Sequence, residues 1–207
     1  MGLNKKEYNE CMRIVRVSDN SLDLVVQEAV ESLERGEVLA CPTDTVYGLV
    51  ADATNRKAAE RVFEIKKREQ NKTLPVFVKD VDMARKLAKI TSRQEEFLRK
   101  SWPGKVTAVL EGKHVLSDLF ELNGTIALRV PNYELLARIL EEYNRPLTAT
   151  SANISGQPPC VSAQEVRAQF KGQGCAPDSI IDAGELEVSQ PSTIIDIIQK
   201  NPKVIRP

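Results

Sequence analysis

The stretch SLDLVVQEAVESLERGEVLACPTDTVYGL, residues 21–49, changes its hydrophobic pattern part-way along. Leu22, Val25, Val26, Ala29, Val30 and Leu33 recur at helical spacing, which predicts an amphipathic helix capped by Ser21 and stopped at Gly36. Val38 to Cys41 is then a short apolar run ending at Pro42, and it reads as a buried strand. A helix that feeds a buried strand is the repeating unit of an α/β sheet.

Working outward, the alternation continues. A helix is predicted over Asn55–Arg68 with Ala58, Ala59, Val62, Phe63 and Ile65 inward, then a strand over Leu74–Val78. Helices over Val81–Lys89 and Ser92–Lys100 follow, ending at the breaker Trp102-Pro103-Gly104. The second half offers strands at Val106–Leu110 and Thr125–Val130, a helix at Tyr133–Tyr143 and a strand at Leu147–Thr150. After a Ser/Gly/Pro-rich loop, Ser151–Pro159, come a helix from Ser162 and strands near Ile180–Asp182, Thr193–Ile197 and Val204–Arg206. This predicts an α/β sheet with helices packed on it, and the strand-rich end predicts mixed strand directions. No linker, repeat or low-complexity block divides the chain, so one domain over 1–207 is expected.

Composition narrows the function classes. The chain has 207 residues, 42% of them hydrophobic and 28% charged, which is an ordinary globular profile. Lys+Arg and Asp+Glu both number 29. Zero net charge disfavours a protein that grips nucleic acid through its global field, because phosphate neutralisation dominates such binding. Locally, Arg56–Lys72 holds seven Lys/Arg against three Glu. Cys11, Cys41, Cys160 and Cys175 form no Cys-x-x-Cys pair and His114 is the single histidine, so a zinc site is not expected. No stretch approaches the roughly 18 apolar residues of a membrane span, and the polar N-terminus has no signal-peptide core. A cytoplasmic address is expected.

Four segments carry polar residues beyond what packing demands. PTDTVYGL, Pro42–Leu49, emerges at a strand end, where α/β sheets bind ligands, and its threonines suit a zwitterion; taken alone it reads first as a turn joining two strands. Lys66-Lys67-Arg68 with Lys72 reads as a solvated helix end or as polyphosphate capture by a fork and point charges. SANISG, Ser151–Gly156, is an Asx/Ser turn or a loop whose backbone N–H groups approach a phosphate or base. PSTIID, Pro191–Asp196, with Val204-Ile205-Arg206-Pro207 behind it, reads on its own as a closing strand.

In their order and spacing, PTDTVYGL, IKKR, SWPGKVT, TIALRVP, PLTATSANISG, PSTIID and VIRP resemble the YrdC-domain family of threonylcarbamoyl-AMP synthases, from about Leu22 to Pro207. The resemblance implies a twisted mixed sheet with flanking helices around a concave basic cavity. It implies an enzyme, a nucleotidyltransferase, that makes L-threonylcarbamoyladenylate and pyrophosphate from ATP, L-threonine and bicarbonate. Mg²⁺ is expected with the ATP, held by phosphate oxygens and water. A tRNA threonylcarbamoyl transferase complex would then carry the group to adenosine 37 of tRNA, with tRNA itself a further candidate partner.

By the same resemblance, Lys66 and Arg68 are catalytic and hold ATP together with Lys72, Thr125, Ser151, Asn153 and Arg206. Thr45, Arg129, Ala149 and Ser192 would form the threonine pocket, with Arg129 on the carboxylate. Three positions depart from the family pattern: Glu69 where many members have Pro, Phe77 where some have a threonine-contacting His, and Pro159 near an ATP-contacting Ser. Ending at Arg206-Pro207, the chain resembles the short, single-domain type. The alternatives are an RNA-binding YrdC-like module, a carbamoyltransferase relative, and a paralogue without synthase activity.

Overall fold

The computed structural model describes residues 12–18, 21–69, 72–187 and 189–207; Cys11 lies outside them. In chain order, strand β1 (Arg13–Arg16) and helix α1 (Leu22–Glu34) precede β2 (Leu39–Cys41), β3 (Gly48–Val50) and α2 (Arg56–Lys66). Next come β4 (Val76–Phe77), α3 (Val81–Leu87), β5 (Ala88–Lys89), α4 (Ser92–Ser101), β6 (Val106–Gly112), β7 (Glu121–Leu122) and β8 (Thr125–Arg129). Last are α5 (Glu134–Tyr143), β9 (Leu147–Thr148), β10 (Thr150–Ser151), α6 (Ala163–Phe170), β11 (Ser179–Asp182), β12 (Thr193–Asp196) and β13 (Lys203–Arg206).

The strands form a mixed sheet in two parts, ordered β1-β11-β2-β3-β10 and β13-β12-β6-β8-β4-β9. Parallel pairs (β1 with β11, β11 with β2, β12 with β6, β4 with β8) occur together with antiparallel ones in both parts, as the strand-rich end predicted. The parts are stitched where β3 runs out. Asp52 bridges Leu147, Thr148 N donates to Ala51 O at 2.9 Å, and Ala51 N donates to Thr148 Oγ1 at 3.0 Å. The predicted strand Leu147–Thr150 therefore breaks at Ala149: β9 belongs to one part and β10 to the other.

Helices pack on both faces of β2, so that strand has no solvent side. Val38 and Ala40 enter the core with α2, α3, α4 and α6, whereas Leu39 and Cys41 enter a second core with α1 and α5. A strand buried on both faces needs an unbroken apolar run, which is why residues 38–41 show no polar alternation. Fully burying one such side chain contributes about 1.5–3 kcal/mol.

Local chemistry sets the helix ends. Asn55 Oδ1 caps α2 by accepting from Lys57 N and Ala58 N, Thr91 and Gln94 form a capping box on α4, and Ser162 caps α6. Ser21 occupies the cap position of α1 but makes no side-chain cap; its Oγ accepts from Ser18 N at 2.9 Å instead. The predicted helix Asn55–Arg68 stops at Lys66, because Lys67 is left-handed (φ 48°) and Arg68 N returns to Phe63 O. The helix predicted to reach Lys89 gives way at Ala88, where β5 pairs with β6. β1 and β7, each four residues or fewer with little apolar alternation, had no legible signal. No helix among the described residues is long and apolar enough to cross a membrane.

Candidate functional site

A cavity of about 520 Å³ lies in the crease between the two parts of the sheet. Gly48, Thr150 and Ser151 wall it from the first part. Phe77, Thr107, Ala127, Arg129 and Ile194 wall it from the second. Strand periodicity explains the choice on β8: Ala127 and Arg129 share one face, while Ile126 and Leu128 point into the core. The wall carries four cations (Arg68, Lys72, Arg129 and Arg206) and no carboxylate among its lining residues. The cavity is basic in its lining.

The loop of Pro42–Tyr47 forms one rim. Thr43 Oγ1 donates to Val46 O at 2.7 Å and accepts from Thr45 N at 3.1 Å, closing a tight turn. A hydroxyl has one hydrogen, and that of Thr43 is committed to Val46. The 3.0 Å contact between the two threonine hydroxyls is therefore donated by Thr45, whose Oγ1 lone pairs remain for a ligand N–H. Gly48 lets this turn sit close to β10: a Cβ there would lie 3.2 Å from Thr150 O and 3.3 Å from Thr43 Cγ2.

Arg129 is buried, with its side chain 6% exposed. Its Nε donates to Gly104 O at 2.9 Å and its Nη2 to Asp44 Oδ1 at 2.7 Å, while its guanidinium carbon lies 5.8 Å from the centre of the Phe77 ring. Burial lowers its pKa; Asp44 opposes that shift and Arg206 adds to it. A cation taken out of water and incompletely compensated attracts an anionic ligand strongly. Opposite, Arg206 Nη2 donates to Ser192 O at 2.8 Å, and Ser192 Oγ lies 2.9 Å from Thr107 Oγ1.

The Lys-x-Arg pair divides. Arg68 is on the cavity wall, steadied by Nη2 donating to Thr73 O at 2.8 Å, and burial lowers its pKa. Lys66 is 2% exposed and lies behind the wall. Its Nζ lies 2.6 Å from Ser151 O, 2.9 Å from Asn153 O and 3.1 Å from Asn153 Oδ1, acceptors for all three hydrogens of its protonated form. Burial first, then the Arg68 charge, pushes its pKa down to about 7. Asn153 is spent in the same way: Nδ2 donates to Ile154 O at 3.1 Å and to Gln157 O at 2.6 Å, and Oδ1 also accepts from Ser151 Oγ.

Of the residues singled out in the sequence, Thr45, Arg68, Lys72, Arg129, Ala149, Ser151, Ser192 and Arg206 meet around the one cavity. Lys66 and Asn153 fix the loop behind it. Thr125 is off the wall; its hydroxyl donates to Leu122 O at 2.8 Å. Lys72 is largely exposed and pairs with Glu69 at 3.2 Å. Phe77 and Pro159, two of the departures from the family pattern, both line the cavity. Sequence reading missed Asp44, although it stands between the two threonines already singled out. Its carboxylate was the available signal. His114 is exposed and off the cavity wall. Among the described residues no three His, Cys, Asp or Glu side chains are grouped to hold a metal.

A family model covering Sua5, YciO and YrdC, described as "Telomere recombination", matches residues 31–207. The chain belongs to the Sua5/YciO/YrdC family. It is 34% identical to a threonylcarbamoyl-AMP synthase of Pyrococcus abyssi over 94% of its length, and spans 57% of that longer protein. It is 36% identical to the threonylcarbamoyl-AMP synthase of Vibrio vulnificus over 83% of its length, covering 92% of that protein. The crystal structure of P. abyssi Sua5 complexed with L-threonine superposes with a TM-score of 0.85 at 33% identity, over 95% of this chain and 57% of that one. A fold so close to a family structure carries the mixed sheet and flanking helices as family properties.

Proposed function

We propose that the chain is a threonylcarbamoyl-AMP synthase, a nucleotidyltransferase that converts ATP, L-threonine and bicarbonate into L-threonylcarbamoyladenylate and pyrophosphate. Arg129, a buried guanidinium on the wall of a cationic cavity, is the observation that carries this reading. The names of its relatives and the threonine-bound Sua5 structure support it. Arg129 takes the amino-acid carboxylate, Thr45 Oγ1 accepts from the amine, and Ser192 and the backbone at Ala149 close the pocket. Arg68, Arg206 and Lys72 face the triphosphate. Ser151 and the loop that Lys66 and Asn153 hold receive the nucleotide.

The chemistry asks for positioning and charge neutralisation rather than a protein nucleophile. Threonine's amine and bicarbonate lose water to give a carbamate. A carbamate oxygen forms a bond to the α-phosphorus, and the bond from that phosphorus to the bridging oxygen of the β-phosphate breaks. Pyrophosphate leaves with that electron pair, and the cationic wall disperses the charge that builds on it. Mg²⁺ belongs to the nucleotide substrate, on phosphate oxygens and water, since no carboxylate lines the cavity. In the cytoplasm the adenylate would pass to a transferase complex that modifies adenosine 37 of tRNA. Pyrophosphate release from ATP tests the reaction. It should need both L-threonine and bicarbonate, with the adenylate identified by mass; release without either co-substrate, or none by folded protein with Mg²⁺, would reject it.

A further inference from the structure

Asp44 lies outside the residues that line the cavity, and its carboxylate is nevertheless engaged on both oxygens. Oδ1 accepts from Arg129 Nη2 at 2.7 Å and Oδ2 from Asn132 N at 3.2 Å. Its side chain is 7% exposed. A guanidinium is planar, so two anchors on different nitrogens fix its orientation: Gly104 O holds Nε and Asp44 holds Nη2. Nη1 has no protein hydrogen bond among the described residues, so it and the second hydrogen of Nη2 are left to meet a ligand.

We propose that Asp44 is a positioning residue that aims Arg129 at the carboxylate of the amino-acid substrate. This rests on the reading that Arg129 holds that carboxylate. The same contact ties the Thr43–Thr45 turn to β8, so the amine-accepting hydroxyl of Thr45 and the carboxylate-binding fork of Arg129 keep a fixed separation. Without Asp44, the guanidinium could rotate about its remaining anchor and give up its bidentate approach.

Calorimetric titration of the full chain with L-threonine, and separately with L-threoninamide, tests this. Arg129→Gln should weaken L-threonine binding by about thirtyfold or more. Asp44→Ala should weaken it about tenfold, and the double variant should be no weaker than Arg129→Gln alone, because one residue acts through the other. Threoninamide, which has no carboxylate, should bind wild type and Asp44→Ala equally. Asp44→Asn keeps an acceptor for Nη2 and should recover most of the affinity. If Asp44→Ala does not fold, Asp44→Glu, which displaces the carboxylate by one methylene, replaces it with the same expected loss.

Wild-type affinity in Asp44→Ala, or losses that multiply in the double variant, would overturn the role of Asp44 while leaving that of Arg129 intact. Asp44→Asn as weak as Asp44→Ala would also overturn it. An Arg129→Gln variant that binds L-threonine normally would instead remove the underlying reading.

Discussion

Lys66 and Arg68 stand two positions apart and send their charges to different places. The left-handed Lys67 between them reverses the chain, so Lys66 Nζ closes on three oxygens of the Ser151–Asn153 loop while the Arg68 guanidinium stays on the cavity wall. Two cations that look equivalent in sequence are thus a loop clamp and a cavity-wall group. Their variants should fail in different ways.

Lys66→Met removes three hydrogen bonds from buried acceptors and leaves those oxygens unpaired. A loss of about 2–4 kcal/mol is expected, seen as a lower unfolding midpoint in urea together with lost pyrophosphate release. Arg68→Ala should abolish release with the midpoint nearly unchanged. The burial of Lys66 is what separates the two outcomes. A Lys66→Met protein as stable as wild type would show that the clamp is not needed.

The lowered pKa of Lys66 gives stability a pH dependence. Its folded value is about 7 and its ordinary value 10.5. Between them the unfolded chain keeps a proton that the folded chain has released, so this group's contribution to stability rises as pH rises through that window. Urea unfolding of wild type and Lys66→Met at pH 7 and pH 9 should show a difference that shifts in favour of wild type at the higher pH. A constant difference would contradict it.

Gly48→Ala places a methyl group 3.2 Å from Thr150 O and 3.3 Å from Thr43 Cγ2. The Thr43–Thr45 turn and β10 must separate by a few tenths of an ångström, costing about 1 kcal/mol in stability. The larger effect should fall on the amino-acid pocket, because the turn carries Thr45. KM for L-threonine is expected to rise severalfold while KM for ATP moves little.

Lys72→Ala offers the contrast. Its pair with Glu69 is exposed on both sides, and such pairs contribute about 0–1 kcal/mol. The unfolding midpoint should stay within error. ATP affinity should fall modestly and the fall should shrink in high salt, as expected for a screened cation at the rim.

The fold was legible where burial imposes a pattern. The helical stripe of α1, the two-sided apolar run at residues 38–41 and the face of α2 with Ala58, Val62 and Ile65 all follow from packing, and all are observed. Features that depend on partners distant in sequence were not legible. Ser21 turns to Ser18 instead of its helix, Ala88 leaves its helix to pair with β6, and Leu147–Thr150 divides between two parts of the sheet. The site divides on the same principle. Residue types suited to phosphate or carboxylate were recognisable, but which cation is sealed behind a loop depends on a backbone reversal at a lysine, where glycine would be the usual signal.

The stitch at Ala51–Thr148 and Asp52–Leu147 is made largely of main-chain atoms, and Ala149, the next residue, sits where the chain passes from one part of the sheet to the other. Main-chain geometry is insensitive to which side chains hang from it. The spacing between a group held by the first part and a group held by the second is therefore inherited with the fold. Single substitutions can retune how tightly each half grips without altering how far apart the halves stand. Wall side chains such as Phe77 and Pro159 can therefore be exchanged while the spacing across the cavity stays with the backbone.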